Sequence, residues 1–264
     1  MSAYDVVIAD PVGNVTALVL NQDVERNDYM YIANRLMGIG ELGIEQVGFV
    51  KSPKIGGSLR LEMMGGEFCG NATRSFGLYI AFCKGAVDSE IIPVEISGCS
   101  DVLNVDTNVR KGYAKTTMPL PIGIDCIGID NNYVYVIEFE GIVHVIAENV
   151  EVGNEIYEKI KKVLINKYDI DAFGIMFLNN DELKITPLVY VKETDSVVYE
   201  HSCGSGTIAT AIYLTKDKDD GIYSYDICNP GGMIEAQVYK QDGKVVKATI
   251  GGKVILSQIK SIEL

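Results

Sequence analysis

Apolar and polar residues alternate with period two over much of this chain. Residues 58–64 (SLRLEMM), 133–140 (YVYVIEFE), 183–191 (LKITPLVYV) and 244–250 (KVVKATI) all read this way, which is the spacing of strands with one face buried. Turn chemistry separates them, as at Asn179-Asn180-Asp181 and Gln241-Asp242-Gly243, where short polar side chains and glycine tolerate tight backbone angles. Four stretches follow a helical period instead. Residues 23–38 place Tyr31, Ile32, Leu36 and Met37 near one face, and residues 153–168 do the same with Ile156, Ile160, Val163 and Leu164. The other two begin at Cys69 and Cys203 and are apolar on nearly all sides, so each is predicted to be a buried helix.

These two stretches match. Cys69-Gly70-Asn71-Ala72-Thr73 and Cys203-Gly204-Ser205-Gly206-Thr207 lie 134 residues apart, about half the chain. Gly98-Cys99-Ser100-Asp101 and Gly232-Met233-Ile234-Glu235 fall at the same shift, and residues 13–20 and 141–148 at a similar one. Such spacing points to an internal duplication. Two prolines in 117–125 (TMPLPIGID) suit a linker. The predicted fold is α+β: two pseudo-symmetric domains, 1–118 and 119–253, each an antiparallel sheet wrapped around a central helix. Residues 254–264 are expected to return to the first domain, and a cleft is expected between the two.

Composition narrows the function. The 264 residues are 47% apolar, enough for a sizeable core, yet no uncharged apolar run is long enough to span a membrane. The start lacks a basic segment followed by an apolar one, so no secretory signal is read and a cytoplasmic location is expected. A net charge of −13 argues against nucleic acid and anionic membrane as partners. Six cysteines occur without a C-x-x-C pair or a Cys/His cluster, so no metal site is expected. Cys83, Cys99, Cys126 and Cys228 read as packing residues.

Cys69 and Cys203 differ from those four because each opens a helix. Unpaired N–H groups and the helix dipole there favour negative charge, which turns a thiol into a usable base. The small residues that follow let a ligand approach the backbone closely, so two such helix starts could hold one carboxylate between them. With one thiol on each side of the carbon bearing that carboxylate, one sulfur removes the Cα proton and the other delivers a proton to the opposite face. The plainer alternative is that each glycine-rich helix start only marks a turn; the pairing at half-chain spacing weighs against it.

At these residues the chain resembles the diaminopimelate epimerase superfamily, through PVGNVTALV near the start, EFCGNAT, VHVI, CGSGT and NPGG. The two thiols separate it from the phenazine-biosynthesis isomerases of the same fold. Within the superfamily it is most similar to the histidine racemases of staphylopine-type metallophore biosynthesis, on IEQVGFV (44–50), GGEFCGNAT (65–73), ISGCSD (96–101) and EHSCGSGT (200–207). The resemblance implies a racemase or epimerase that works on a small amino-acid substrate without pyridoxal phosphate or any other cofactor.

It further implies Cys69 and Cys203 as the two bases, and Gly70, Asn71, Gly204 and Ser205 as donors to the α-carboxylate. Asn14 and Glu200 would hold the surroundings of the α-amino group, and Glu45, with Gln46 beside it, would read the side chain. Asn14 equally reads as a turn residue after Gly13, and Glu45 and Glu200 as solvated carboxylates. His144 reads as a strand histidine rather than a ligand. His201 stands where the epimerases carry an arginine for a second carboxylate, and methionines replace the asparagine expected before the first motif. Diaminopimelate therefore ranks below a basic or neutral amino acid. Proline or hydroxyproline racemisation and a redox-regulated thiol binding protein stay open, and a homodimer is admitted without a residue to argue it.

Overall fold

The computed structural model describes residues 2–129, 132–168, 170, 172–192 and 195–264. In chain order, strands β1 (Ala3–Asp10) and β2 (Thr16–Val19) precede helix α1 (Tyr29–Met37), β3 (Gln46–Lys51) and β4 (Arg60–Met63). Helix α2 (Gly70–Cys83) leads to β5 (Ser89–Ile96), β6 (Leu103–Asn108) and β7 (Tyr113–Thr117). Then come β8 (Gly123–Ile129), β9 (Asn132–Phe139), β10 (Ile142–Glu148), α3 (Asn154–Lys167), β11 (Ala172–Asn179), β12 (Lys184–Val191) and β13 (Ser196–Tyr199). Helix α4 (Gly204–Thr215), β14 (Gly221–Asn229), β15 (Gly232–Gln241), β16 (Lys244–Lys253), β17 (Ile255–Leu256) and β18 (Lys260–Glu263) complete the chain. It divides into two compact units, Met1–Thr117 with Gly251–Leu264, and Met118–Ile250.

Both units pair their strands in the same order. In the first, β1–β2 is antiparallel, β2–β3 parallel, β3–β4 antiparallel, β4–β5 parallel and β5–β6 antiparallel. In the second, β9–β10, β10–β11, β11–β12, β12–β14 and β14–β15 repeat that sequence of senses. The sheets are therefore mixed rather than wholly antiparallel. Each helix carries the chain back to the start of a neighbouring strand, and such a crossover delivers a parallel neighbour. The returning C-terminal strands pair with β1, Tyr4 opposite Ile262 and Ala9 opposite Leu256.

Strand alternation distributes the two helices of the first unit. Val7 and Ala9 of β1 join Ala72, Phe76 and Ile80 of α2 in one core, while Val6 joins Ile32, Ala33 and Leu36 of α1 in another. The buried stripe of α1 is Tyr29, Ile32, Ala33 and Leu36; Tyr31, expected on that face, is 61% exposed. The stripe starts two residues earlier because the Tyr29 ring stacks on Phe49, centroids 3.8 Å apart. In the second unit Ile160 and Leu164 of α3 pack with Val143, Val145 and Ala147 of β10. His144 and Ile146 alternate with these residues, and α4 packs against β10, β11, β14 and β15. No described helix is long and apolar enough to cross a membrane.

One buried carboxylate organises the loop before β4. Glu95 is fully buried on β5 and accepts the backbone N–H groups of Lys54 (2.8 Å), Ile55 (2.8 Å) and Gly57 (2.9 Å). Beside it Glu62 accepts from Tyr29 Oη (3.0 Å), Lys54 Nζ (2.8 Å) and Arg60 Nε (2.9 Å). Burial alone would raise both carboxyls, but these donors outweigh it, holding Glu95 below the ordinary carboxylate range and Glu62 at about 2. A carboxyl lowered by folding stabilises the fold above its unfolded value, and that stabilisation is lost as pH falls through its folded value. Thermal melts should accordingly lose stability from the ordinary carboxylate range down towards pH 2. Glu95→Gln should lower the neutral-pH Tm by roughly 5 °C or more, because its amide turns a donor towards the loop N–H groups; an unchanged Tm would contradict this account of the loop.

Candidate active site

Cys69 is the N-cap residue of α2, in extended conformation (φ −135°, ψ 112°), and its sulfur accepts from Ala72 N at 3.4 Å. Its carbonyl takes two bonds, from Thr73 N (2.9 Å) and Thr73 Oγ1 (2.7 Å). The preceding loop is held by a close approach. Gly98 has φ +69°, and a Cβ there would stand 2.3 Å from Phe68 N. Its neighbour Ser97 donates from Oγ to Glu67 O (2.9 Å) and accepts Met63 N (2.8 Å). A residue with a side chain at 98 would displace the backbone that aims Cys69.

The loop after β1 is built against the start of α2. Val12, Gly13 and Asn14 all take positive φ (69°, 86° and 57°), a run that needs outside support in non-glycine residues. Arg74, fully buried one turn into α2, donates to Pro11 O (2.6 Å), Asn71 Oδ1 (3.1 Å) and Lys253 O (3.1 Å). Glu45 is exposed, and its Oε1 accepts Asn14 N (3.1 Å) and Val15 N (3.4 Å). Gln46, 8% exposed, donates from Nε2 to Thr16 Oγ1 (2.7 Å) and to Cys69 Sγ (3.3 Å).

The second cysteine is set by the same backbone device. Cys203 is the N-cap of α4 (φ −116°, ψ 104°), and its carbonyl accepts Thr207 N (2.9 Å) and Thr207 Oγ1 (2.7 Å). This is why threonine recurs four residues after each cysteine: its hydroxyl bonds back to the cap carbonyl. Asn229, at the end of β14, accepts Cys203 N at 3.1 Å and donates to Thr207 Oγ1 at 3.1 Å. The thiol is buried, with Ser205 Oγ 3.7 Å from the sulfur. Burial first, and then the charge of Glu200 hydrogen-bonded to it, push the Cys203 thiol well up; Gly206 N–H and Ser205 oppose this. A Cβ on Gly206 would lie 2.1 Å from Met176 Sδ and 3.2 Å from Cys203 Sγ, so a side chain there would push the Met176 thioether aside next to the thiol.

Each unit thus gathers its own candidates: Asn14, Glu45, Gln46, Gly70 and Asn71 around Cys69, and Glu200, Gly204 and Ser205 around Cys203. His144 lies fully buried on β10 with neither ring nitrogen hydrogen-bonded among the described residues, and burial pushes it down to about 3, so it is neutral. The carbonyl of His201 accepts Gly231 N at 2.6 Å, and its side chain is exposed. Residues not singled out from sequence are Thr16, Arg74, Ser97 and Asn229. Asn229 opens the NPGG string, and Arg74 stands where the second copy has Ile208; that mismatch within the repeat was the available signal.

A family model described as the histidine racemase CntK N-terminal domain matches residues 4–259. A histidine racemase of Fusobacterium nucleatum subsp. nucleatum (strain ATCC 23726) is 39% identical over 244 residues, 89% of each chain. One from Staphylococcus aureus (strain Mu50) is 29% identical over 234 residues, 85% of each chain. Among solved structures, a PhzF-family phenazine biosynthesis protein of Bacillus anthracis matches with a TM-score of 0.71 at 13% identity over the whole of both chains. A hydroxyproline epimerase from Agrobacterium vitis matches with 0.67 at 9% identity, over 99% of this chain and 91% of that one. Those two likenesses are of fold. From the family match across nearly its whole length and from the closely covering 39% relative, the chain belongs to the histidine racemase family.

Proposed function

We propose that this protein interconverts L- and D-histidine by direct proton transfer at Cα, with Cys69 and Cys203 as the two bases. The observation that carries the reading is the repeated cap: in each unit a cysteine opens a buried helix, its carbonyl held by the threonine four residues on. Inversion at carbon needs one group that takes a proton and one that gives a proton, on opposite faces. Two copies of one thiol-bearing cap supply them.

Removing the Cα proton leaves negative charge shared between that carbon and the carboxylate. The first-turn N–H groups at Gly70, Asn71, Gly204 and Ser205 are donors for this charge, and preorganised donors shielded from water contribute roughly 3–4 kcal/mol each. No electron-sink cofactor is required by this route. Asn14 and Glu200 are assigned to the α-amino group. Glu45 is assigned to the imidazole: its anchoring on Asn14 N and Val15 N fixes the carboxylate as an acceptor for a basic side chain.

Chiral chromatography after incubation with L-histidine, L-proline or diaminopimelate should show inversion of histidine; inversion of either other substrate in its place would overturn the assignment. Cys69→Ser and Cys203→Ser should each lower kcat by at least about 10²-fold, and either variant racemising at the parent rate would remove the two-base reading. Glu45→Gln should raise KM for histidine by about tenfold with kcat little changed, on the loss of one charge-assisted contact. A change confined to kcat would put Glu45 elsewhere. Gly98→Ala should cost about 2 kcal/mol of stability or more and reduce kcat, since the added Cβ meets backbone beside Cys69; a parent-like melt and kcat would show that the close approach is dispensable.

A further inference from the structure

The hydrogen-bond pattern around Gln46 determines what the Cys69 sulfur can be. Thr16 has a single hydroxyl proton, and it is used on Asn14 O at 3.2 Å. Thr16 Oγ1 therefore has only lone pairs to offer Gln46, whose amide approaches to 2.7 Å and must present its NH₂ end. Asn14 O, an obligate acceptor 3.5 Å from the same nitrogen, fixes the same orientation. Since Gln46 is buried, the amide cannot readily exchange these partners for water. Of the two N–H groups on Nε2 one is taken by Thr16 Oγ1, and the other lies between Cys69 Sγ at 3.3 Å and the more distant Asn14 O, with Ala72 N as a second donor to the sulfur at 3.4 Å. Two N–H donors on one sulfur favour the thiolate over the thiol.

The second sulfur has a different neighbourhood. Cys203 is buried, and Glu200, three residues before it, is hydrogen-bonded to its thiol, so this sulfur faces an acceptor. No side-chain amide donates to it among the described residues; its first-turn partners are Gly206 N and Ser205.

We infer that Gln46 is a positioning residue that keeps Cys69 as a thiolate in the resting enzyme, so that the catalytic proton waits on Cys203. Cys69 is then the base for the enantiomer whose Cα proton faces it, the opposite enantiomer reacting with the form in which Cys203 is ionised. This rests on the racemase reading above and adds a resting protonation to it. With the first enantiomer the Cys69 thiolate takes the Cα proton; the Cys203 S–H bond breaks as its proton passes to the opposite face of the carbon. The product leaves Cys69 protonated and Cys203 ionised, and proton exchange with solvent restores the start. The other charged and titratable groups around Cys69 are Glu45 ahead of β3, Glu67 in the preceding loop, Arg74 on α2 and Cys99 after β5. Glu45 and Arg74 are bonded to the Asn14 loop and the α2 start. Around Cys203 they are Glu200, His201 and the neutral His144.

The test is the pH dependence of iodoacetamide alkylation, followed at low conversion by peptide mass spectrometry, with exposed Cys83 and Cys126 as references in the same protein. Cys69 should reach its half-maximal rate at a pH below that of Cys203. Gln46→Leu should raise the Cys69 midpoint by about one pH unit, on the order of tenfold less thiolate at a given pH, and leave Cys126 unmoved. Gln46→Glu should move it the same way, as a carboxylate replaces a donor. A Cys69 midpoint unchanged in both folded variants overturns the inference, as does a parent in which Cys203 ionises first. Should Gln46→Leu fail to fold, Thr16→Val reads the same relay, since it frees the amide to turn; it too should raise the Cys69 midpoint. Histidine racemisation by the parent is measured alongside: its absence with the shift intact removes the racemase reading alone, and its presence without the shift removes the Gln46 assignment alone.

Discussion

A helix that is apolar all round must lie inside its sheet, yet the N–H groups of its first turn still need acceptors. That conflict is met at the start of α2 and of α4, and the candidate chemistry depends on how. In both helices the cap residue is cysteine, its carbonyl takes the hydroxyl of the threonine four residues later, and small residues fill the first turn. A surface helix could leave these donors to water. Here burial concentrates them beside a thiol, where negative charge is favoured.

The two copies share the cap and differ in what surrounds it. The first is reached by a loop in left-handed backbone, braced by the buried Arg74, and its sulfur is met by the Gln46 amide. The second has Ile208 in place of the arginine, an asparagine on β14 holding the cap N–H, and a glutamate beside the thiol. Duplication supplied two equivalent helices, and divergence of their neighbours gave the two sulfurs different electrostatic surroundings. The proposed two-base route uses both: like groups to take and to give a proton, and unlike surroundings to set which of them starts ionised.

Much of this was legible in sequence because it depends on local pattern. Period-two alternation located β4, β9, β12 and β16, and the recurrence of Cys-Gly-x-x-Thr located the helices that carry the thiols. The α1 stripe was misjudged at Tyr31 because ring stacking of Tyr29 on Phe49, a contact across 20 residues of chain, decides which side of the helix faces the sheet. The parallel pairs within each sheet were missed because period-two alternation does not carry strand direction. The bond of Gln46 to the Cys69 sulfur and the bonds of Arg74 and Asn229 have no local signal, since their partners lie 23, 63 and 26 positions away. Residues whose function is to hold another residue leave little periodic trace.

Proton removal by one thiol and proton delivery by the other leave an isotopic signature in the products. When L-histidine is converted in D₂O and stopped early, D-histidine should carry deuterium at Cα while the recovered L-histidine keeps its protium, because the proton removed and the proton delivered reside on different sulfurs. Equal deuterium in both enantiomers, or protium carried over into the product, would mean that one group serves both faces and would contradict the account.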